Sequence, residues 1–156
     1  MKKRASIKHR VTKETNVFVS LNLDGQGRYK IHTTLPFLDH MLELFSKHSL
    51  IDLTVKAAGD LKVDEHHTVE DIGICFGEAL RKALGDKKGI ERYGFLLPMD
   101  EALAEVAIDL SGRSCLVWNV SFKREKIGDM PTELFEDFFK AVADNLRANI
   151  HITVKY

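Results

Sequence analysis

The feature that most constrains this chain is an internal echo. FLDHMLELF at 37–45 aligns with LFEDFFKAV at 134–142, and IDLTVK at 51–56 aligns with IHITVK at 150–155. The order of elements echoes as well: hairpin, helix, strand, helix, then hairpin, helix, strand. Repeated supersecondary units of this kind predict two similar halves, here at about 5–87 and 90–156. Each half would bury one sheet face under helices, which makes the expected class α+β. The first half follows its strand with an HHTVED helix and the second half shows no counterpart. Part of one sheet face is therefore expected to lack cover unless a further segment or a partner supplies it.

The local pattern supports this division. Val17, Val19, Leu21 and Leu23 alternate with Phe18, Ser20 and Asn22, so residues 5–23 read as extended. DGQG at 24–27 is a turn signal, and RYKIHT is expected to return as the hairpin partner. Pro36 suits a first helical turn, with Leu38, Met41, Leu42 and Phe45 as an apolar stripe ending near Ser49. LIDLTVKAA reads as a strand. A second stripe, Ile72, Phe76, Ala79, Leu80 and Ala83, predicts a helix closed by Gly85, with Thr68 and Asp71 as a capping-box pair. Gly73 and Gly77, one turn apart, predict close approach of another backbone. Later, Ala104, Val106, Ile108 and Leu110 alternate, and SGR at 111–113 is expected to turn the chain into SCLVWNVSF. Residues 132–149 read as a helix and NIHITVKY as the last strand.

Charge then narrows the function classes. Lys plus Arg and Asp plus Glu are 23 each, which argues against nucleic-acid or membrane-surface binding through bulk electrostatics. The basic start, MKKRASIKHRVTKE, has no apolar stretch behind it and does not read as a secretory signal, and no run reaches the roughly 18 apolar residues of a span. Cys75 and Cys115 sit in apolar runs and are expected to be buried, reduced thiols, so a cytoplasmic setting is expected.

The candidate chemistry centres on VDEHHTVEDIG at 63–73. On a helix, His66 and Glu70 are i, i+4, and so are His67 and Asp71, so either pair can point the same way. Tandem histidines diverge by about 100°, which suits two metals, or one metal and a substrate. An ordinary solvated helix start, with acids favoured by the helix dipole, is the plain alternative. His40 and His48 lie two turns apart on the preceding helix, about 12 Å along its axis, too far to share one ion. Arg92 and Arg113 stand at turns, where arginine is either solvated or a phosphate clamp. Glu14 is a base candidate only if the site lies beside the first strand.

Taken together, RVTKETNV, PFLDHMLELFSKHSLIDLTVKAAGD, DEHHTVEDIGI, KGIERYG, PMDEALAEVAIDLSGR and TELFEDFFKA resemble the imidazoleglycerol-phosphate dehydratase family, in that family's order across nearly the whole chain. The resemblance implies two fused halves, each a four-stranded sheet with two helices on one face (ribosomal protein S5 domain 2-like). It implies a hydro-lyase of histidine biosynthesis that dehydrates imidazole glycerol phosphate to imidazole acetol phosphate through a metal-bound imidazolate. It also implies two Mn2+ per complete site, homotrimers, and large cubic assemblies of trimers with sites shared between subunits. His40, His66, His67 and Glu70 fall on the family's metal positions, and Asp137, aligned with His40, falls where His or Glu is more usual. Glu14 and His48 fall on acid–base positions in contact with substrate, and Arg92 and Arg113 on phosphate-binding positions.

The chain departs from the family pattern after its last strand, where a second HHxxE motif and a Lys-containing tail are expected. These departures imply weak Mn2+ binding, little activity and assembly no larger than a trimer for the 156 residues given. A non-catalytic structural subunit that keeps the fold and trimer contacts is the alternative. A metallohydrolase with an HHxxE-type site is weaker, because the matches extend well beyond that motif.

Overall fold

A computed structural model describes residues 4–156. Strands β1 (Ala5–Val11), β2 (Thr15–Asn22), β3 (Tyr29–His32) and β4 (Asp52–Gly59) form one sheet, with α1 (Pro36–Ser49) between β3 and β4 and α2 (His66–Leu84) after β4. Strands β5 (Tyr93–Met99), β6 (Ala102–Asp109), β7 (Cys115–Asn119) and β10 (Asn149–Val154) form the second sheet, with α3 (Leu134–Leu146) leading into β10. A short hairpin, β8 (Lys126–Ile127) with β9 (Met130–Pro131), interrupts the second half. The strand orders are β1-β2-β4-β3 and β5-β6-β10-β7, the same topology twice.

The predicted hairpins form elsewhere. The segment 5–23 splits at Thr12–Glu14, and β1 pairs antiparallel with β2. Thr12 Oγ1 holds that turn by accepting the backbone N–H groups of Glu14 at 3.1 Å and Thr15 at 2.9 Å. RYKIHT is not the partner of β2; as β3 it runs parallel to β4. The DGQG turn is tied to the start of β4, because the Asp52 carboxylate accepts the N–H groups of Gln26 at 2.8 Å and Arg28 at 3.0 Å. Parallel neighbours need a crossover, and α1 is that crossover. The second half repeats the correction. SGR does not fold β7 back on β6: β7 runs parallel to β10, and β6 pairs with β5. Gly112 and Cys115 donate to the carbonyls of Arg147 and Ala148, which anchors the loop beside the end of α3.

One apolar core spans both halves. It includes Val17, Val19, Leu53 and Val55 of the first sheet, Val69, Ile72 and Phe76 of α2, Phe138 and Val142 of α3, and Ile150 and Ile152 of β10. Aromatic pairs tie the helices together: Phe45 to Phe76 at 5.2 Å and Phe37 to Phe135 at 5.8 Å. The closest junction is α2 with α3, where the two glycines act as predicted. A Cβ on Gly73 would lie 2.8 Å from the Phe138 carbonyl oxygen, and one on Gly77 2.8 Å from that of Val142. Only glycine allows backbones this close.

Two further expectations fail. Thr68 and Asp71 do not form a capping box: α2 begins at His66 without a side-chain cap, and both residues are buried. Cys75 is buried, but Cys115 is exposed, because β7 turns it outward. No helix among the described residues is long and apolar enough to cross a membrane.

Candidate functional site

The glycine contact sets the site's geometry. Gly73 of α2 faces Phe138 and Ala141, and Gly77 faces Val142 to Leu146, so the two helices run in the same sense and their first turns meet. That meeting brings His66 to Asp137, with Nδ1 3.4 Å from Oδ2. Glu70, one turn on, lies 4.0 Å from Nε2 of the same ring. The two histidine rings sit side by side, with centroids 6.1 Å apart and planes nearly perpendicular. The two side chains turn to different partners, Asp137 for His66 and Asp60 for His67, as expected of tandem helical residues.

His67 does not turn to Asp71. Asp71 is held inside by Arg10 Nε at 2.7 Å and by the Thr15 hydroxyl, so it locks α2 onto β1 and β2. The i, i+4 rule identifies which side chains share a face but not which partner on the neighbouring sheet competes for them. His67 instead meets Asp60, in the turn after β4, with Nδ1 3.2 Å from Oδ2 and 3.3 Å from Oδ1. That hydrogen bond is the main reason the imidazole is more basic than usual. Some burial opposes it, and the charges of Asp60, Glu14 and Asp64 add to it. Glu14, at the tip of the β1–β2 turn, lines a shallow groove with Asp60. It thus belongs to the same end of the molecule as the histidine pair.

Other candidates lie apart within one protomer. His40 and His48 are exposed on α1, and among the described residues neither hydrogen-bonds to this cluster. Arg92 and Arg113 do come together, on the outer face of the second sheet, in an open groove of about 570 Å³. Arg92 is ion-paired there with Asp109 at 2.9 Å. Asn149 and His151 line the same groove. No sequence motif marks these two residues or Asp60. The alternation of β10 offers a signal for His151, which lies on the face opposite Ile150 and Ile152.

Imidazoles and carboxylates are donors that suit manganese, and His66, His67, Glu70 and Asp137 are of that kind. Among the described residues, however, no three His, Cys, Asp or Glu side chains converge closely enough to hold an ion. The donors fit the metal in type and fall short of a full set in number.

The duplicated α+β fold thus sets a histidine pair and two carboxylates where two helices begin. Residues 33–156 match the family model described as imidazoleglycerol-phosphate dehydratase. A Geobacter sulfurreducens imidazoleglycerol-phosphate dehydratase is 57% identical, covering 100% of this chain and 80% of that protein. The histidine biosynthesis bifunctional protein HisB of Spirosoma linguale is 59% identical over 97% of this chain, which spans 40% of that protein's length. The crystal structure of the dehydratase from Staphylococcus aureus subsp. aureus N315 superposes with a TM-score of 0.85 at 40% identity, covering 97% of this chain and 84% of that one. A Pyrococcus furiosus structure, in complex with (S)-C348, gives 0.81 at 34% identity, covering 95% and 79%. The chain belongs to the imidazoleglycerol-phosphate dehydratase family, a family of hydro-lyases.

Proposed function

We propose that this chain serves the dehydration of imidazole glycerol phosphate to imidazole acetol phosphate in histidine biosynthesis. The observation that carries this reading is the histidine pair at the α2–α3 junction, with Glu70 and Asp137 facing His66. The proton to be removed sits on an unactivated carbon beside the imidazole ring, so the reaction needs an electron sink and a base. In this proposal His40, His66, His67, Glu70 and Asp137 are the residues of this chain that hold manganese. When bound, the metal supplies Lewis acidity that draws electron density from the substrate ring. Glu14 takes the carbon proton as general base, and His48 gives a proton to the departing hydroxyl. Arg92 and Arg113 clamp the phosphate through their guanidinium forks.

One protomer spreads these groups over the α2–α3 junction, α1 and the outer face of the second sheet. We therefore propose a homo-oligomer, a trimer for this chain and cubic assemblies of trimers for longer forms, with each site built from neighbouring copies. A cytoplasmic setting belongs to the same proposal and agrees with two unpaired thiols.

The decisive experiment is a dehydration assay with added manganese, alongside metal content and intact mass. For the 156-residue chain the expected result is weak manganese binding and low turnover, with trimers in sedimentation. In a longer, active form, His67→Ala is expected to abolish turnover and leave the fold intact. Unchanged turnover in that variant overturns the ligand assignment. The competing reading, a structural subunit without catalysis, draws on the incomplete ligand set. A longer form that folds, binds manganese and still shows no turnover favours that reading.

A further inference from the structure

The geometry points to Asp60 as a positioning residue that engages Nδ1 of His67 and so leaves Nε2 as the nitrogen available to bind a metal. Both Asp60 oxygens lie within 3.3 Å of Nδ1. An ionised carboxylate only accepts hydrogen bonds, so in the neutral ring Nδ1 carries the proton and Nε2 is left as the donor atom. A carboxylate behind a ligating imidazole sets tautomer and orientation and raises the ring's basicity.

The arrangement is built by the fold. Asp60 directly follows Gly59, the last residue of β4, and residues 61–65 connect it to α2. A Cβ on Gly59 would fall 1.9 Å from Thr68 Oγ1, so this residue must be glycine for the strand end to lie against the helix that carries His67. The Asp60 carboxylate is 27% exposed, and His67 is its hydrogen-bond partner. The two histidines are thereby distinguished. His66 faces Asp137 and Glu70, both candidate ligands, through its two nitrogens, whereas one nitrogen of His67 is committed to a residue outside the ligand set.

As a statement about manganese, the inference rests on the proposed function; as a statement about the tautomer, it does not. The test compares the wild-type chain with Asp60→Ala, Asp60→Glu and His67→Ala. Nitrogen-detected NMR of the metal-free chain at alkaline pH, where the ring is neutral, reads the tautomer. Manganese titration followed by electron paramagnetic resonance of the free ion reads affinity. Nδ1–H is expected in wild type, with a shift toward Nε2–H in Asp60→Ala and return in Asp60→Glu. Manganese affinity is expected to fall roughly 10- to 100-fold in Asp60→Ala and to recover partly in Asp60→Glu.

An unchanged tautomer in Asp60→Ala overturns the inference. So does a loss of affinity equal to that of His67→Ala with no tautomer change, which would make Asp60 a ligand itself. If His67→Ala binds manganese as wild type does, the metal assignment of His67 fails, and the tautomer result alone decides the role of Asp60.

Discussion

The two sheets share a strand order, but their first strands face different surroundings. On β1 the inward residues are polar, and each is joined to α2. The Ser6 hydroxyl donates to the Ala79 carbonyl at 2.7 Å, Lys8 pairs with Glu78, and Arg10 pairs with Asp71. On β5 the corresponding residues are apolar. Phe95 pairs with Val106, which pairs with the buried Ile152, so Tyr93, Phe95, Leu97 and Met99 lie on the core side of the second sheet. Among the described residues nothing packs over that end, and Phe95 and Leu97 are 54% and 61% exposed. The difference shows that strand order follows from pairing, whereas burial follows from the helix laid across it. Where a helix lies on the strand, even arginine and lysine are drawn into contacts; where none lies within the chain, phenylalanine is left exposed.

The largest predicted effect probes this contrast directly. Ile72 is fully buried on α2, and Ile72→Ala is expected to destabilise the chain by roughly 2–5 kcal/mol in urea unfolding. Phe95→Ala removes a larger side chain from the open face and is expected to cost less than about 1 kcal/mol, since little contact is lost. Equal costs would mean that the β5 face is covered in solution.

The next comparison uses glycines. Gly73→Ala puts a methyl group 2.8 Å from the Phe138 carbonyl oxygen and is expected to cost roughly 1–3 kcal/mol by forcing α2 and α3 apart. It should also separate His66 from Asp137, which chemical-shift changes at His66 would report. Gly94→Ala, on the outer face of β5, meets the Val106 carbonyl oxygen at 3.3 Å, a milder approach, and is expected to cost about 1 kcal/mol or less. A third measurement isolates the polar lock. Arg10→Ala leaves Asp71 largely buried with only Thr15 as its partner, and is expected to cost about 1–3 kcal/mol. A cost near zero would mean that water replaces the guanidinium.

These contrasts also explain what the sequence could and could not disclose. The helices were legible because apolar stripes at helical spacing are local: Pro36, Ser49 and Gly85 mark their ends as read. The close approach at Gly73 and Gly77 was legible for the same reason, since small residues one turn apart leave room for a backbone. Pairing partners were not. Alternation tells which face a strand buries and not which strand lies beside it, so β3 and β7 were assigned to the wrong neighbours. At the site, the echo between halves already marked Asp137 as the counterpart of His40, and the fold sets it against His66. Asp60 stayed hidden because a Gly-Asp pair after a strand reads first as a turn. Asp71 leaves the helix-start pattern because its partners, Arg10 and Thr15, are distant in sequence and near only once β1 and β2 pack on α2.

The last contrast comes from the two thiols, which sample the covered and the open half. Cys115 on β7 is expected to react with a thiol reagent at the rate of a free cysteine, whereas Cys75 on α2 reacts only as fast as the chain opens. Burial pushes the Cys75 thiol from its ordinary 9.0 up to about 11, with the Asp71 charge adding to the effect. The unfolded chain therefore releases this proton at lower pH than the folded chain. Its contribution to stability is complete below pH 9.0 and is lost as pH rises toward about 11, a decline on the order of 2 kcal/mol. Cys75→Ala is expected to flatten that decline, and Cys115→Ala to leave it in place. A decline that survives Cys75→Ala would move its origin to other groups, and fast labelling of Cys75 would mean that the covered half opens as readily as the exposed one.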